Sequence, residues 1–180
     1  MKKIIFVLIS IFSAISLNAQ DYPIEMPYNS ELAIIEYQSV LDLNDQSAKQ
    51  IFDKANEWFS YSFKSGKHVI DYSNPEMNKV IGKGYLPFKF FSRGEQTIEF
   101  LIKLEAKDEK IRYTISNCIY HQSDSPTLGR VNLEKDSWKV EDYPKSWGFK
   151  KKFYTRFDEQ VKELIDSLEK FMNRKSDTAW

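Results

Sequence analysis

The chain has 180 residues, 26 basic and 26 acidic, with 13 Phe, 10 Tyr, 4 Trp and a single cysteine. Balanced charge excludes a general nucleic-acid binder, and one cysteine excludes an internal disulfide. Stability must then come from packing, for which the aromatic side chains supply large buried areas.

Lys2 and Lys3, the apolar run Ile4 to Leu17 and the small-residue end Asn18-Ala19-Gln20 have the form of a secretion signal over residues 1–20. The run of about 14 residues is short of the roughly 20 that a membrane-spanning helix needs. No cysteine stands near the cut to take a lipid. These residues predict cleavage after Ala19 or Gln20 and a periplasmic or secreted product with no membrane span. Without Lys2 and Lys3 the tally is 24 basic against 26 acidic, a net of −2. Residues 21–180 suffice for one domain with its own core.

Asp21 to Ser30 is an extended lead-in, and the apolar positions of Leu32 to Leu43 predict a first strand. Ser47-Ala48-Lys49-Gln50 has the pattern of a capping box, in which hydroxyl and amide each satisfy a free backbone donor. Ala48, Ile51, Phe52, Ala55, Trp58, Phe59 and Phe63 then recur at helical spacing, and Gly66 offers a cheap stop. His68 to Tyr72 and Lys79 to Phe91 predict two more strands, separated by the turn Ser73-Asn74-Pro75. Gly82-Lys83-Gly84 lacks the third glycine and following helix of a phosphate loop, so the pair predicts a bulge or sharp bend in a curved sheet. After the turn Ser92 to Glu95 come two alternating runs. Ile98, Phe100, Ile102 and Leu104 share a face in the first, and Ile111, Tyr113, Ile115 and Ile119 in the second, opposite Cys118. With Lys107 to Lys110 as a short polar turn they predict the antiparallel hairpin at the centre of the fold.

The stretch 122–152, with Pro126, Gly129, Pro144 and Gly148, predicts a long irregular loop with weak strand character near Arg130 to Leu133. Phe157, Val161, Leu164, Ile165, Leu168 and Met172 mark the last helix, and 174–180 a tail.

Chemistry is sparse. His68 and His121 stand without a nucleophile motif, and Ser123 and Asp124 beside His121 are loop neighbours rather than convergent groups. Two histidines and a cysteine at unrelated spacing match no metal signature, and no cofactor is expected. Cys118, in the hairpin, is expected to be an inert thiol. Trp138, Tyr143, Trp147, Phe149, Lys150, Lys151 and Lys152 are the candidate binding surface, because rings interleaved with lysines can dock a protein or a glycan.

The segments Asn56-Glu57-Trp58-Phe59, Ile81-Gly82-Lys83-Gly84 and Lys110-Ile111-Arg112-Tyr113-Thr114-Ile115-Ser116-Asn117, behind the signal, resemble a family of uncharacterised exported Bacteroidetes proteins. That family is described as a domain of unknown function with a TBP-like fold, and the resemblance covers Glu31 to about Tyr120. The elements read above run strand-helix-four strands-helix, an α+β fold of about five strands, and the resemblance implies that they form a curved antiparallel sheet with the two helices on one face. The resemblance carries no catalytic residues. The expected function is an exported, non-enzymatic binding or interaction module of the cell envelope, its partner an envelope protein or glycan. The alternatives are a small periplasmic hydrolase using His121 or His68, or a structural subunit of an exported assembly.

Overall fold

The computed structural model describes residues 22–63, 69–90, 96–122, 137–143 and 147–174. The signal segment 1–20, the Gly66 stop, His68, the turn Ser92 to Glu95, the stretch 123–136 with Pro126 and Gly129, Pro144 and residues 175–180 of the tail lie outside them.

Strands β6 (Gln96–Lys107) and β7 (Lys110–Gln122) form the expected central hairpin, paired from Gln96↔Gln122 to Lys107↔Lys110. Glu109 turns the chain at φ 61°. Alternation buries Ile98, Phe100, Ile102 and Leu104 on one face, joined by Ile111, Tyr113 and Ile115. The expected phase of β7 then breaks. Asn117 sits at φ 52°, and the register slips so that Leu101 pairs Ser116 while Glu99 pairs Ile119. An extra residue in one strand exchanges the faces of everything after it. Cys118 and Tyr120, both fully buried, therefore turn into the core, while Ile119 stays half-buried opposite them.

Around the hairpin lie β3 (Tyr37–Asp42), β4 (Val69–Asn74), β5 (Lys79–Pro87) and β8 (Ser137–Lys139). The order is β3-β7-β6-β5-β4, all antiparallel, with β8 paired to the far end of β7. This corrects the expected curved sheet of about five strands: the sheet is open, neither curled nor closed, and has six strands among the described residues. The sixth strand, β8, comes from the stretch read as irregular. With two short strands ahead of β3, the order among the described residues is three strands-helix-five strands-helix rather than strand-helix-four strands-helix. Gly82 and Gly84 make no bulge, because β5 pairs with β6 without a break from Lys79↔Glu105 to Pro87↔Thr97. The irregularity of that edge falls in β4, between Ile70 and Tyr72. The predicted first strand is divided as well. A separate small hairpin, β1 (Tyr28–Asn29) with β2 (Ile34–Ile35), precedes β3 and turns through Ala33 at φ 55°.

Helix α1 (Ala48–Ser62) starts at the predicted capping box, with Ser47 N–H donating to Gln50 Oε1 (2.8 Å) and Gln50 N–H to Ser47 Oγ (3.3 Å). Asp108 of the hairpin turn accepts from Ala48 N–H at 2.8 Å, tying the helix start to the sheet. Helix α2 (Trp147–Met172) begins ten residues earlier than its apolar stripe from Phe157 suggested. Lysines are good helix formers, and burial of Phe153 and Tyr154 extends the stripe, so Lys150-Lys151-Lys152 is helical. Both helices cover the apolar face: Phe63, at the end of α1, lies 6.0 Å from Phe100, and Phe157 of α2 lies 6.1 Å from Tyr37. Lys54 of α1 donates to the Met172 carbonyl at 2.7 Å, satisfying the exposed end of α2.

Candidate functional site

The start of α2 presents one stripe away from the core: Gly148, Lys151, Lys152, Thr155, Arg156 and Glu159, three or four residues apart. Facing them is the chain leaving β5, where Phe88 N–H donates to the Gln96 carbonyl (2.7 Å) and Phe90 N–H to Gln96 Oε1 (3.0 Å). These bonds hold Lys89 and Phe90 against the helix, and Gln160 Nε2 donates across to the Pro87 carbonyl at 2.8 Å. The result is a groove of about 510 Å³. Among the described residues its lining carries four cations (Lys89, Lys151, Lys152, Arg156) and one carboxylate, Glu159, which Arg156 Nη1 reaches at 3.3 Å, with Glu163 just beyond at 4.0 Å. Lys152 Nζ stands 5.9 Å from the Phe90 ring centre.

The expected binding residues divide between this surface and the core. Tyr143 is 1% exposed and stacked on Phe153 at 3.9 Å, its hydroxyl pushed up to about 12 by burial. Trp138, half-buried, stacks on Tyr120 at 5.8 Å. Phe149 is 50% exposed, Lys151 and Lys152 are exposed, and Lys150 is half-buried. Trp147 opens α2, and its side chain lies outside the described residues. Lys89, Phe90, Thr155 and Glu159 completed the groove without any signal in the sequence, since they meet only through the packing of β5's exit on α2.

A second polar group crosses the open face of the sheet. His121 Nδ1 meets Ser137 Oγ at 2.8 Å and its Nε2 meets Glu99 Oε2 at 3.0 Å, while the Tyr85 hydroxyl also bonds Glu99. Four adjacent strands, β5, β6, β7 and β8, are tied by these side chains. The expectation that His121 has no partner set is corrected: Glu99 and Ser137, distant in sequence, supply one. The tautomer with a hydrogen on Nε2 accepts from Ser137 and donates to Glu99, the polarity that a serine–histidine–acid relay uses. None of the four residues lines the groove. Ser123 and Asp124 lie outside the described residues, and among the described residues no cluster of His, Cys, Asp or Glu could hold a metal ion. Cys118 is fully buried, and burial, with Glu141 nearby, pushes its thiol well up, which leaves it no thiolate for chemistry.

Glu141, only 7% exposed, is a buried carboxylate that accepts from Ile35 N–H at 2.7 Å. Burial raises its pKa above the ordinary 4.5, against the lowering effect of that hydrogen bond. In the unfolded chain it ionises first as pH rises, so its contribution to stability is whole below pH 4.5 and declines above it. Glu141→Gln keeps an acceptor for Ile35, so its own cost is no more than about 1 kcal/mol. Urea midpoints should show the variant gaining on the wild type between pH 4 and pH 7. A difference, variant minus wild type, that stays constant or falls with rising pH would mean that Glu141 is not held against ionisation.

Among the described residues no helix is long and apolar enough to cross a membrane. No curated protein matches the chain. A TBP-like protein from Parabacteroides distasonis ATCC 8503 superposes with a TM-score of 0.61 at 15% identity, over 79% of this chain and 95% of that one. A DUF4468 family protein from Bacteroides ovatus ATCC 8483 superposes with a TM-score of 0.65 at 12% identity, over 81% and 90% of the two chains. The fold is thus the α+β TBP-like one, and residues 37–121 match the family model of that kind, the domain of unknown function (DUF4468) with TBP-like fold.

Proposed function

We propose that this protein is an exported, non-enzymatic binding module of the cell envelope, and that it meets its partner at the start of α2. The observation that carries the reading is the groove, where four cations gather around one carboxylate on a chain whose charges balance overall. Concentrated like charge is costly to a fold and useful to a complementary ligand. The signal-like residues Lys2 to Gln20 support export. Affinity capture by the tagged full-length protein, expressed in its own host, tests the reading. Lys151→Glu with Lys152→Glu should cut recovery of the specific partner about thirtyfold, the loss of a hot spot of about 2 kcal/mol, with the melting temperature nearly unchanged. Equal recovery by wild type and variant would remove the surface from consideration. Recovery of a fixed-stoichiometry assembly insensitive to the substitutions would favour the structural-subunit reading.

The Ser137–His121–Glu99 arrangement supports a second reading, a small hydrolase. Under the binding reading, Ser137→Ala and His121→Gln leave capture intact, and any turnover of p-nitrophenyl acetate by the protein is the same in both variants. Ester cleavage lost in both variants while they remain folded would promote the hydrolase.

A further inference from the structure

We infer that the groove takes a short acidic segment of a partner protein, in extended conformation, with carboxylates at alternate positions. This rests on the binding reading above and names its ligand. Among the described residues the groove lining carries four positive charges against one negative, and Glu163 beside Arg156 at 4.0 Å leaves a local excess of two. Its helical wall runs from Gly148 to Glu159, which at 1.5 Å per residue is about 16 Å, the span of about five extended residues. Lys152 and Arg156 are one turn apart on the same face, about 6 Å, close to the roughly 6.8 Å between residues i and i+2 of an extended peptide. Two carboxylates at alternate positions can therefore meet Lys152 and Arg156 in turn, with Lys89 on the opposite wall for a further one. At the Gly148 end a Cβ would meet nothing within 4 Å, so the groove is open there to a ligand side chain.

The rings argue for a peptide over an acidic glycan. Sugars bind aromatic residues by stacking on a ring face, and among the described residues the ring in the lining, Phe90, is engaged on several sides. It stacks on Phe88 (6.0 Å), meets Phe153 and Tyr143 edge-on (5.5 and 6.2 Å) and carries Lys152 over it. Carboxylates need the cations and no ring.

The test is titration of the ¹⁵N-labelled protein with acetyl-Glu-Ala-Glu-Ala-Glu-amide in low salt, read by amide shifts. Parallel arms use the Gln-Ala-Gln-Ala-Gln analogue, the respaced Glu-Glu-Glu-Ala-Ala peptide and tri-galacturonate, which has three carboxylates on sugar rings. The alternating acidic peptide should shift residues 89–90 and 148–159 and bind more tightly than all three. Its affinity should fall about tenfold on raising salt to 0.3 M, because exposed charges are screened within a Debye length below 10 Å. Lys152→Glu should weaken it by a similar factor without shifting the melting temperature. Tighter binding of tri-galacturonate would overturn the peptide assignment in favour of a glycan. Equal binding of the two acidic peptides would overturn the spacing, and no shift at the groove with any probe would overturn the ligand class. In that last case, capture still sensitive to Lys151→Glu with Lys152→Glu leaves the binding surface standing, whereas insensitive capture removes both.

Discussion

Trp58→Ala is expected to cost about 3–5 kcal/mol, a large part of what a domain of this size has to lose. Trp58 is fully buried in the middle of the α1 stripe, edge-on to Phe59 at 5.4 Å and to Phe63 at 5.5 Å. Phe63 in turn lies against Phe100 of the central hairpin, so the indole fills the space between helix and sheet. Truncation leaves a cavity that the flanking rings cannot close without abandoning their own contacts. One feature moderates the loss: the indole N–H is buried with no partner among the described residues, so the tryptophan is not optimal where it stands. Trp58→Phe should accordingly cost far less than the alanine. Urea unfolding followed by far-ultraviolet circular dichroism would read both, and a midpoint unchanged in Trp58→Ala would place the helix face away from the core.

How much of this was legible in the sequence depended on whether the signal was local. The capping box at Ser47, the α1 stripe and the alternation of β6 are set by neighbours within a few residues, and each stands where the pattern put it. The phase of β7 after Ile115 was not legible, because the alternation there fits either face and only the left-handed Asn117 decides it. The start of α2 was missed for a different reason. Lysines and rings mixed between Pro144 and Phe157 carry no apolar period of their own until Phe153 and Tyr154 find Phe88 and the Val140 carbonyl to pack on and bond. The groove and the Glu99–His121–Ser137 tie are further from view still. Each is made by residues tens of positions apart, brought together by strand order and register, and no spacing rule along the chain encodes that.

Gly84→Ala is the second large effect, expected to destabilise by about 3 kcal/mol, at the upper end of overpacking costs. Gly84 of β5 is the register partner of Phe100 in β6, and both face the helices. A Cβ built at Gly84 would stand 2.3 Å from Phe100 Cζ and 2.8 Å and 2.9 Å from its two Cε atoms. The tip of the Phe100 ring thus occupies the space over the glycine, and it has no room to retreat, being 1% exposed with Phe63 against it at 6.0 Å. Elsewhere in a strand the same change would help slightly, since alanine loses less backbone entropy than glycine on folding. The sign of the effect therefore separates steric exclusion from propensity. Gly148→Ala is the internal comparison: its Cβ would meet nothing, and at a helical position it should add up to about 1 kcal/mol of stability. A double-mutant cycle makes the cause explicit. In a Phe100→Ala background, itself costing about 3–5 kcal/mol, the further change Gly84→Ala should cost nothing more. If the two losses simply add, the ring is not what excludes the methyl group, and the strand backbone at Gly84 must need glycine for its own conformation.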